Sequence, residues 1–204
     1  MADSFFTISK AAQATFKDRN SRFIGLVFPV ENETQVKDIQ AQLRKEYYDA
    51  RHHCFAYIIG FDKEVFRAND DGEPSGSAGK PIHNQLLSSG VTNVLAVVVR
   101  YFGGTKLGVP GLINAYKTAT KMALDEAGVV EKFTARRMQL GFTYPEINAV
   151  MQIVQTDGVK ILEQLFDNNC SMELLVKESM TNLISSKLEK AGISCEIISG
   201  LEVF

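Results

Sequence analysis

The sequence predicts an α+β protein in two domains, and three observations predict it. Residues 52–61 (HHCFAYIIGF) and 94–102 (VLAVVVRYF) are apolar at almost every position, the pattern of strands covered on both faces. Segments with a 3.6-residue apolar period lie before, between and after them, over 33–47, 82–88 and 111–127. The last stretch of about 70 residues orders as strand-helix-strand-strand-helix-strand, a ferredoxin-like split unit.

Taken in order, residues 21–30 (SRFIGLVFPV) form an apolar strand. A helix follows over 33–47, with Asn32 as its N-cap and Val36, Ile39, Leu43 and Tyr47 on one face. The strand at 52–61 pairs with EVFRA (64–68) as a hairpin, and the loop 69–81 leads to a short helix over 82–88 that stops at Gly90. The strand at 94–102 turns through a glycine-rich segment into the helix over 111–127, stopped by Gly128. VEKFTAR (130–136) joins the halves. Beyond it come strands at 138–145, 159–166, 171–177 and 194–204, with helices at 146–155 and 178–192. The domains are expected at 1–132 and 133–204.

Composition narrows the function classes. With 45% hydrophobic and 23% charged residues, the 204-residue chain is an ordinary folded one rather than a disordered one. The longest purely apolar run, Val94 to Val99, is far too short to cross a membrane, and MADSFFTISK carries no basic or apolar leader signal. A cytoplasmic protein without membrane partners is expected. Cys54, Cys170 and Cys195 lie far apart and suit buried, reduced thiols. The first 132 residues hold 16 basic and 15 acidic side chains and the remainder 6 and 9, so neither half is broadly basic. Strong binding to naked nucleic acid is therefore not expected, and any such contact needs a local patch.

Three polar clusters interrupt the apolar pattern at strand ends. The first is Arg51-His52-His53. Neighbouring histidines on a strand face opposite ways, so they cannot share a metal ion, and no metal site is expected. The second is NDDGEPSGSAGKP (69–81). Its Gly79-Lys80 pair suggests a nucleotide phosphate loop, but that spacing needs a glycine where Pro74 stands and a hydroxyl where Pro81 stands. A calcium loop centred on Gly72 fails as well, with Arg67 and Ala78 at its first and last ligand positions. Asp70, Asp71 and Glu73 could serve as crowded general acids, yet Asn-Asp-Asp-Gly is also what a tight turn demands, and Pro74 and Pro81 stiffen it. Ser75 and Ser77 have no evident base partner. We read the loop as a rigid turn feeding a helix, with Lys80 at its edge.

The third cluster is RYFGGTKLGVPGLINAY (100–116). Gly103, Gly104, Gly108 and Gly111 let backbone approach a ligand, and the helix start supplies free amides, so Arg100 and Lys106 would complete an anion site, with Tyr101 and Tyr116 counted among the ligand- or partner-binding residues. Alternatively the glycines serve tight packing and Arg100 pairs with the Asp70-Asp71 turn. No cofactor is implied.

Together ARHHCFAY (50–57), DDGEPSGSAGKP (70–81) and VVVRYFGGTKLG with GLINAY (97–116) resemble the signature of the IMPACT/YigZ family, in order and spacing. The resemblance implies an N-terminal domain similar to a small-subunit ribosomal protein domain and to translocase domain four. It also implies a ferredoxin-like C-terminal domain similar to translocase domain five. In eukaryotic relatives the shared domain belongs to a protein that restrains the amino-acid-starvation kinase by competing for its activator. The resemblance thus implies a translation-linked binding protein whose partner is a ribosome, a structured RNA or a translation-related protein. The alternative is an enzyme acting on a phosphorylated small molecule or nucleotide. Pro110 and Asn114 depart from the family pattern, which has glycine and a basic residue there.

Overall fold

The structure is a computed structural model that describes residues 4–167 and 170–204. Its described residues form an α+β fold in two compact units, Phe6–Glu131 and Lys132–Phe204 with the chain start up to Phe5.

The first unit is built on an antiparallel sheet ordered β2-β3-β6-β4-β5, from β2 (Ala12–Asp18), β3 (Ser21–Pro29), β4 (His52–Ile59), β5 (Val65–Asn69) and β6 (Val94–Tyr101). One face packs against α2 (Gly79–Ser88) and α3 (Gly108–Ala127), with Phe23, Val27, Ile58, Ile82, Leu86, Val98 and Tyr116 in a common core. The other packs against α1 (Glu33–Glu46) through Val36 and Leu43, which meet Ile24, Leu26, Tyr57, Leu95 and Val97. Helices on both faces explain why β4 and β6 are continuously apolar although the sheet is antiparallel. Asn32 caps α1 by accepting from the Gln35 amide at 3.0 Å, as its residue type predicts.

The second unit holds β7 (Val129–Phe142), a 3₁₀ turn at Tyr144–Glu146, α4 (Ile147–Val154), β8 (Val159–Leu165), β9 (Cys170–Lys177), α5 (Glu178–Lys190) and β10 (Ser194–Val203). Its strands run β8-β9-β7-β10, the order of a ferredoxin-like sheet, and β1 (Ser4–Ile8) also lies beside β7. Met138, Leu140, Met172, Leu174 and Val176 bury one face against Val150, Val154, Ile184 and Leu188 of the two helices. On the other face Arg137 forks between Glu173 at 2.6 Å and Glu202 at 3.0 Å.

Several elements differ from the sequence reading. VEKFTAR, expected as a joining segment, lies inside the 14-residue β7, whose residues from Thr134 onward pair with β9 and β10. β1 and β2 were not expected. AQATFKD is a half-exposed edge strand with little of the branched, apolar content that marks a strand in isolation. α2 and α3 each begin three residues earlier than their apolar period shows. No helix among the described residues is long and apolar enough to cross a membrane.

The contact between β3 and α3 is close because Gly25 lacks a side chain. A Cβ there would lie 2.3 Å from the Ala119 carbonyl oxygen, inside helix backbone that cannot step aside. Gly25→Ala is expected to cost about 1–3 kcal/mol through overpacking, read as a lowered urea midpoint with unchanged slope.

Candidate functional site

The strand register assembles the site. His52 on β4 and Phe23 on β3 both stand opposite Arg100, which lies near the end of the central strand β6. Directly paired residues share a face, so His52 and Arg100 point together toward the α3 side. His53 points the other way, opposite Val99 and into the α1 side, and it is buried.

The loop between β5 and α2 gives each of its three acids a separate partner set. Asp70 turns inward, and its carboxylate accepts from the amides of Gly76 at 2.8 Å, Ala78 at 3.0 Å and Gly79 at 2.8 Å. That carboxylate occupies the positive end of α2, where an external anion would otherwise bind. Asp71 crosses to the α1 side, accepting from the His53 amide at 2.6 Å and the Arg44 guanidinium at 2.8 Å. Burial opposes its ionisation, but the His53 amide and Arg44 outweigh burial and hold the carboxyl below its ordinary value. Its carbonyl accepts from His52 Nδ1 at 2.8 Å. Glu73 is the third. Its Oε1 accepts from Arg100 Nη1 at 2.6 Å and from the Tyr116 hydroxyl at 2.8 Å, with both members of the ion pair nearly buried. Cys54 lies behind, its Sγ 3.0 Å from the Asp70 carbonyl oxygen and 3.3 Å from the Tyr116 hydroxyl. Burial pushes the Cys54 thiol and the Tyr116 phenol far up, so neither ionises at neutral pH.

Above this buried network opens a cavity of about 430 Å³, lined by Arg51, His52, Glu73, Arg100, Lys106 and Gly108 together with Pro74, Phe102, Leu107, Val109 and Leu112. Arg51 and Lys106 are exposed at its rim. Arg100 forms part of its wall, with its guanidinium carbon 5.4 Å from the Phe23 ring centre and 5.6 Å from that of Phe102. The start of α3 borders the cavity without a side-chain cap or an acidic residue in its first turn. Its N-terminal charge is therefore unmet, in contrast to α2.

Six of the fourteen residues singled out from the sequence line the cavity, and Tyr116 supports it from beneath. Asp70, Asp71 and His53 form the scaffold of the loop. Lys80 is exposed and does not line the cavity, and Tyr101 is turned toward Asp49, its hydroxyl donating at 2.8 Å. Gly103 meets the β2–β3 turn, where a Cβ would lie 2.0 Å from the Asn20 carbonyl carbon. Gly104 follows at φ +88°, in space open enough that backbone conformation alone demands glycine. The packing alternative for this segment is realised in part: Gly103 serves close packing, and Arg100 pairs with the acidic loop through Glu73 rather than through Asp70 or Asp71. The apolar lining from Phe102, Leu107, Val109 and Leu112 was not anticipated. The i,i+3 spacing of Val109 and Leu112 at the start of α3 was its available signal. Among the described residues no three His, Cys, Asp or Glu side chains gather as a metal-ligand set.

Residues 19–124, which include every residue lining this cavity, match the family described as the Impact N-terminal domain. The chain belongs to the IMPACT family. The IMPACT family member YvyE of Bacillus subtilis is 35% identical over 185 residues, 91% of this chain and 85% of that protein. The IMPACT family member YigZ of Escherichia coli is 37% identical over 143 residues, 69% of this chain and 70% of its own length. A crystal structure described as a hypothetical protein superposes with a TM-score of 0.69 at 28% identity, covering 98% of this chain and 99% of that one. In this IMPACT-family chain Pro110 falls in the first turn of α3, and Asn114 is exposed outside the cavity lining.

Asp70→Ala is expected to destabilise the protein by about 2–4 kcal/mol, since three amides at a helix start lose a charged acceptor; equilibrium urea unfolding measures it. Stability also depends on pH through His53. Burial first, and then Arg44, lower the His53 pKa below its ordinary value, so the unfolded chain binds the proton more readily. Stability therefore declines as pH falls through about 6.5, and the loss stops below the folded-state pKa. Unfolding curves at a series of pH values should show that slope in the wild type and a shallower one in His53→Gln.

Proposed function

We propose that the cleft is the recognition surface of a translation-linked regulatory binding protein, which takes up an anionic group presented by a ribosomal, RNA or protein partner. The observation that carries this reading is the charge arrangement. Arg51, Lys106 and the uncapped α3 start face the cavity, while its one carboxylate, Glu73, is already held by Arg100 and Tyr116. A cavity so lined attracts anions locally although the whole chain carries a net charge of −2. That net charge favours a structured ribonucleoprotein or protein target over free nucleic acid. The eukaryotic members to which the signature is similar regulate translation by binding proteins, which agrees in kind.

Binding is favoured over turnover of a phosphorylated small molecule because the groups that might act as nucleophile or base are engaged. Cys54 is buried with its pKa raised, Glu73 accepts two strong hydrogen bonds, and Ser77 donates to the Pro74 carbonyl at 2.6 Å. His52 lines the cleft with its Nδ1 on the Asp71 carbonyl, and neither Cys54 nor Ser77 has it as a hydrogen-bond partner, so neither is paired with the base that an activated nucleophile needs.

Arg51→Glu/Lys106→Glu reverses two exposed charges and spares the buried Arg100. Wild-type protein is expected to co-migrate with ribosomes on sucrose gradients at low salt, and the variant to be lost from the ribosomal fractions. Co-migration unchanged by the double reversal would contradict the cleft as the binding surface.

A further inference from the structure

The sheet of the second unit ends on an open edge. Among the described residues β8 pairs with no strand but β9, so its far side offers backbone amides and carbonyls that no neighbouring strand takes up. Leu162, Leu165 and Phe166, along this edge and just beyond it, are 39%, 58% and 45% exposed. A lysine or a bulge commonly guards such an edge, and β8 has both, Lys160 and a bulge at Leu162 where its register with β9 shifts. The bulge also sets which way the charges point. Lys160 stands opposite Leu175 and Glu163 opposite Glu173, and those partners are two positions apart on β9, so Lys160 and Glu163 share the face turned away from α4 and α5. Without the bulge, residues three apart would point to opposite faces. Charge on that face is unbalanced. Glu163 and Glu173 are directly opposed, like charge beside like. Arg137 meets Glu173 at 2.6 Å and is shared with Glu202 at 3.0 Å, whereas neither Glu163 nor Lys160 has an ion-pair partner among the described residues. A hollow of about 130 Å³, lined in part by Glu163, Glu173, Gln139 and Ser171, opens beside them.

We infer that β8 is a self-pairing edge whose partner is a second copy of this chain. Two copies set antiparallel about a two-fold axis through the bulge place Lys160 of each opposite Glu163 of the other. Because the two residues share a face, both ion pairs form on the same side of the joined sheets, as an isologous contact requires. Lys160 of the partner subunit meets the carboxylate that has no cation of its own and offsets the repulsion between Glu163 and Glu173. A lysine on an edge turns away most strands, but it favours one with glutamate at the matching place, and β8 is such a strand. The seven-residue edge buries less than the about 1,600 Å² of a tight complex, so the dimer dissociates in the micromolar range. This contact belongs to the second unit and does not depend on the cleft.

Sedimentation equilibrium of the full chain from about 5 to 500 µM, spanning the affinity such an area supports, is the test. The wild type is expected to pass from monomer to dimer within that range. Lys160→Glu and Glu163→Lys should each weaken association at least about tenfold, because each sets like charges opposite one another twice. The two single variants mixed together should associate at close to wild-type strength, since a chain with two glutamates then faces one with two lysines. The double variant Lys160→Glu/Glu163→Lys should recover in the same way. Both side chains are exposed, so the variants fold, which circular dichroism checks. A chain that stays monomeric throughout would overturn the inference and leave the edge to a strand of another protein. A dimer indifferent to both single reversals would place the contact on another surface, and a loss that neither the mixture nor the double variant restores would contradict the pairing of Lys160 with Glu163; either result overturns the inference.

Discussion

The arrangement of the cleft depends on one buried carboxylate, Glu73, held between Arg100 and Tyr116. Each partner comes from a different element: Glu73 from the loop after β5, Arg100 from the central strand β6, and Tyr116 from α3. An ion pair at 2.6 Å with both side chains nearly out of water is costly to desolvate, and it persists only where geometry and a further donor satisfy the charge. Tyr116 is that further donor. Its ring meets Phe23 edge-on with centroids 5.2 Å apart, which fixes the hydroxyl from the core side. Removing either charge leaves the other buried without its partner, so the node ties loop, sheet and helix into one position.

From that node the division of labour among the acids follows. Asp70 and Asp71 are adjacent yet point to opposite sides of the sheet, one closing the start of α2 and the other reaching Arg44 on α1. Asp71 takes a positive φ of 40°, and Asn69 braces the turn by accepting the Asp71 amide at 2.7 Å. The two helix starts end up in different states: α2 is filled by its own loop, and α3 is open. Charge that a reader of the sequence would assign to a single acidic patch is thereby consumed inside the protein. What remains facing the cavity is basic. The same logic explains how a chain with a slightly negative total charge presents a positively lined cleft.

Much of this was legible in the sequence, and the failures have local causes. The doubly covered strands β4 and β6 declared themselves by unbroken apolar runs, and the opposed directions of His52 and His53 followed from strand alternation alone. The first turn of α2 was missed because its capping carboxylate comes from Asp70, eight and nine residues before the amides it binds, while the cap position itself is Ala78. A rule that looks for a capping side chain at the helix boundary cannot see it. β2 escaped because its alternation of Ala12, Ala14 and Phe16 with Gln13, Thr15 and Lys17 rests on two alanines, which carry little strand preference. Lys80 and Tyr101 were grouped with the cleft by sequence proximity, but a neighbour along a helix or strand points elsewhere. The pairing of Arg100 with Glu73, 27 residues away, needed the fold.

The most direct measurement is a double-mutant cycle on this pair, Glu73→Gln and Arg100→Met singly and together, with stability read by urea unfolding. If the node organises the cleft, the two changes should couple by about 1–3 kcal/mol, the double variant being less damaged than the singles imply. Losses that add to within about 0.5 kcal/mol would show that the two residues act independently, and would contradict the account in which Glu73 and Arg100 jointly set the form and charge of the site.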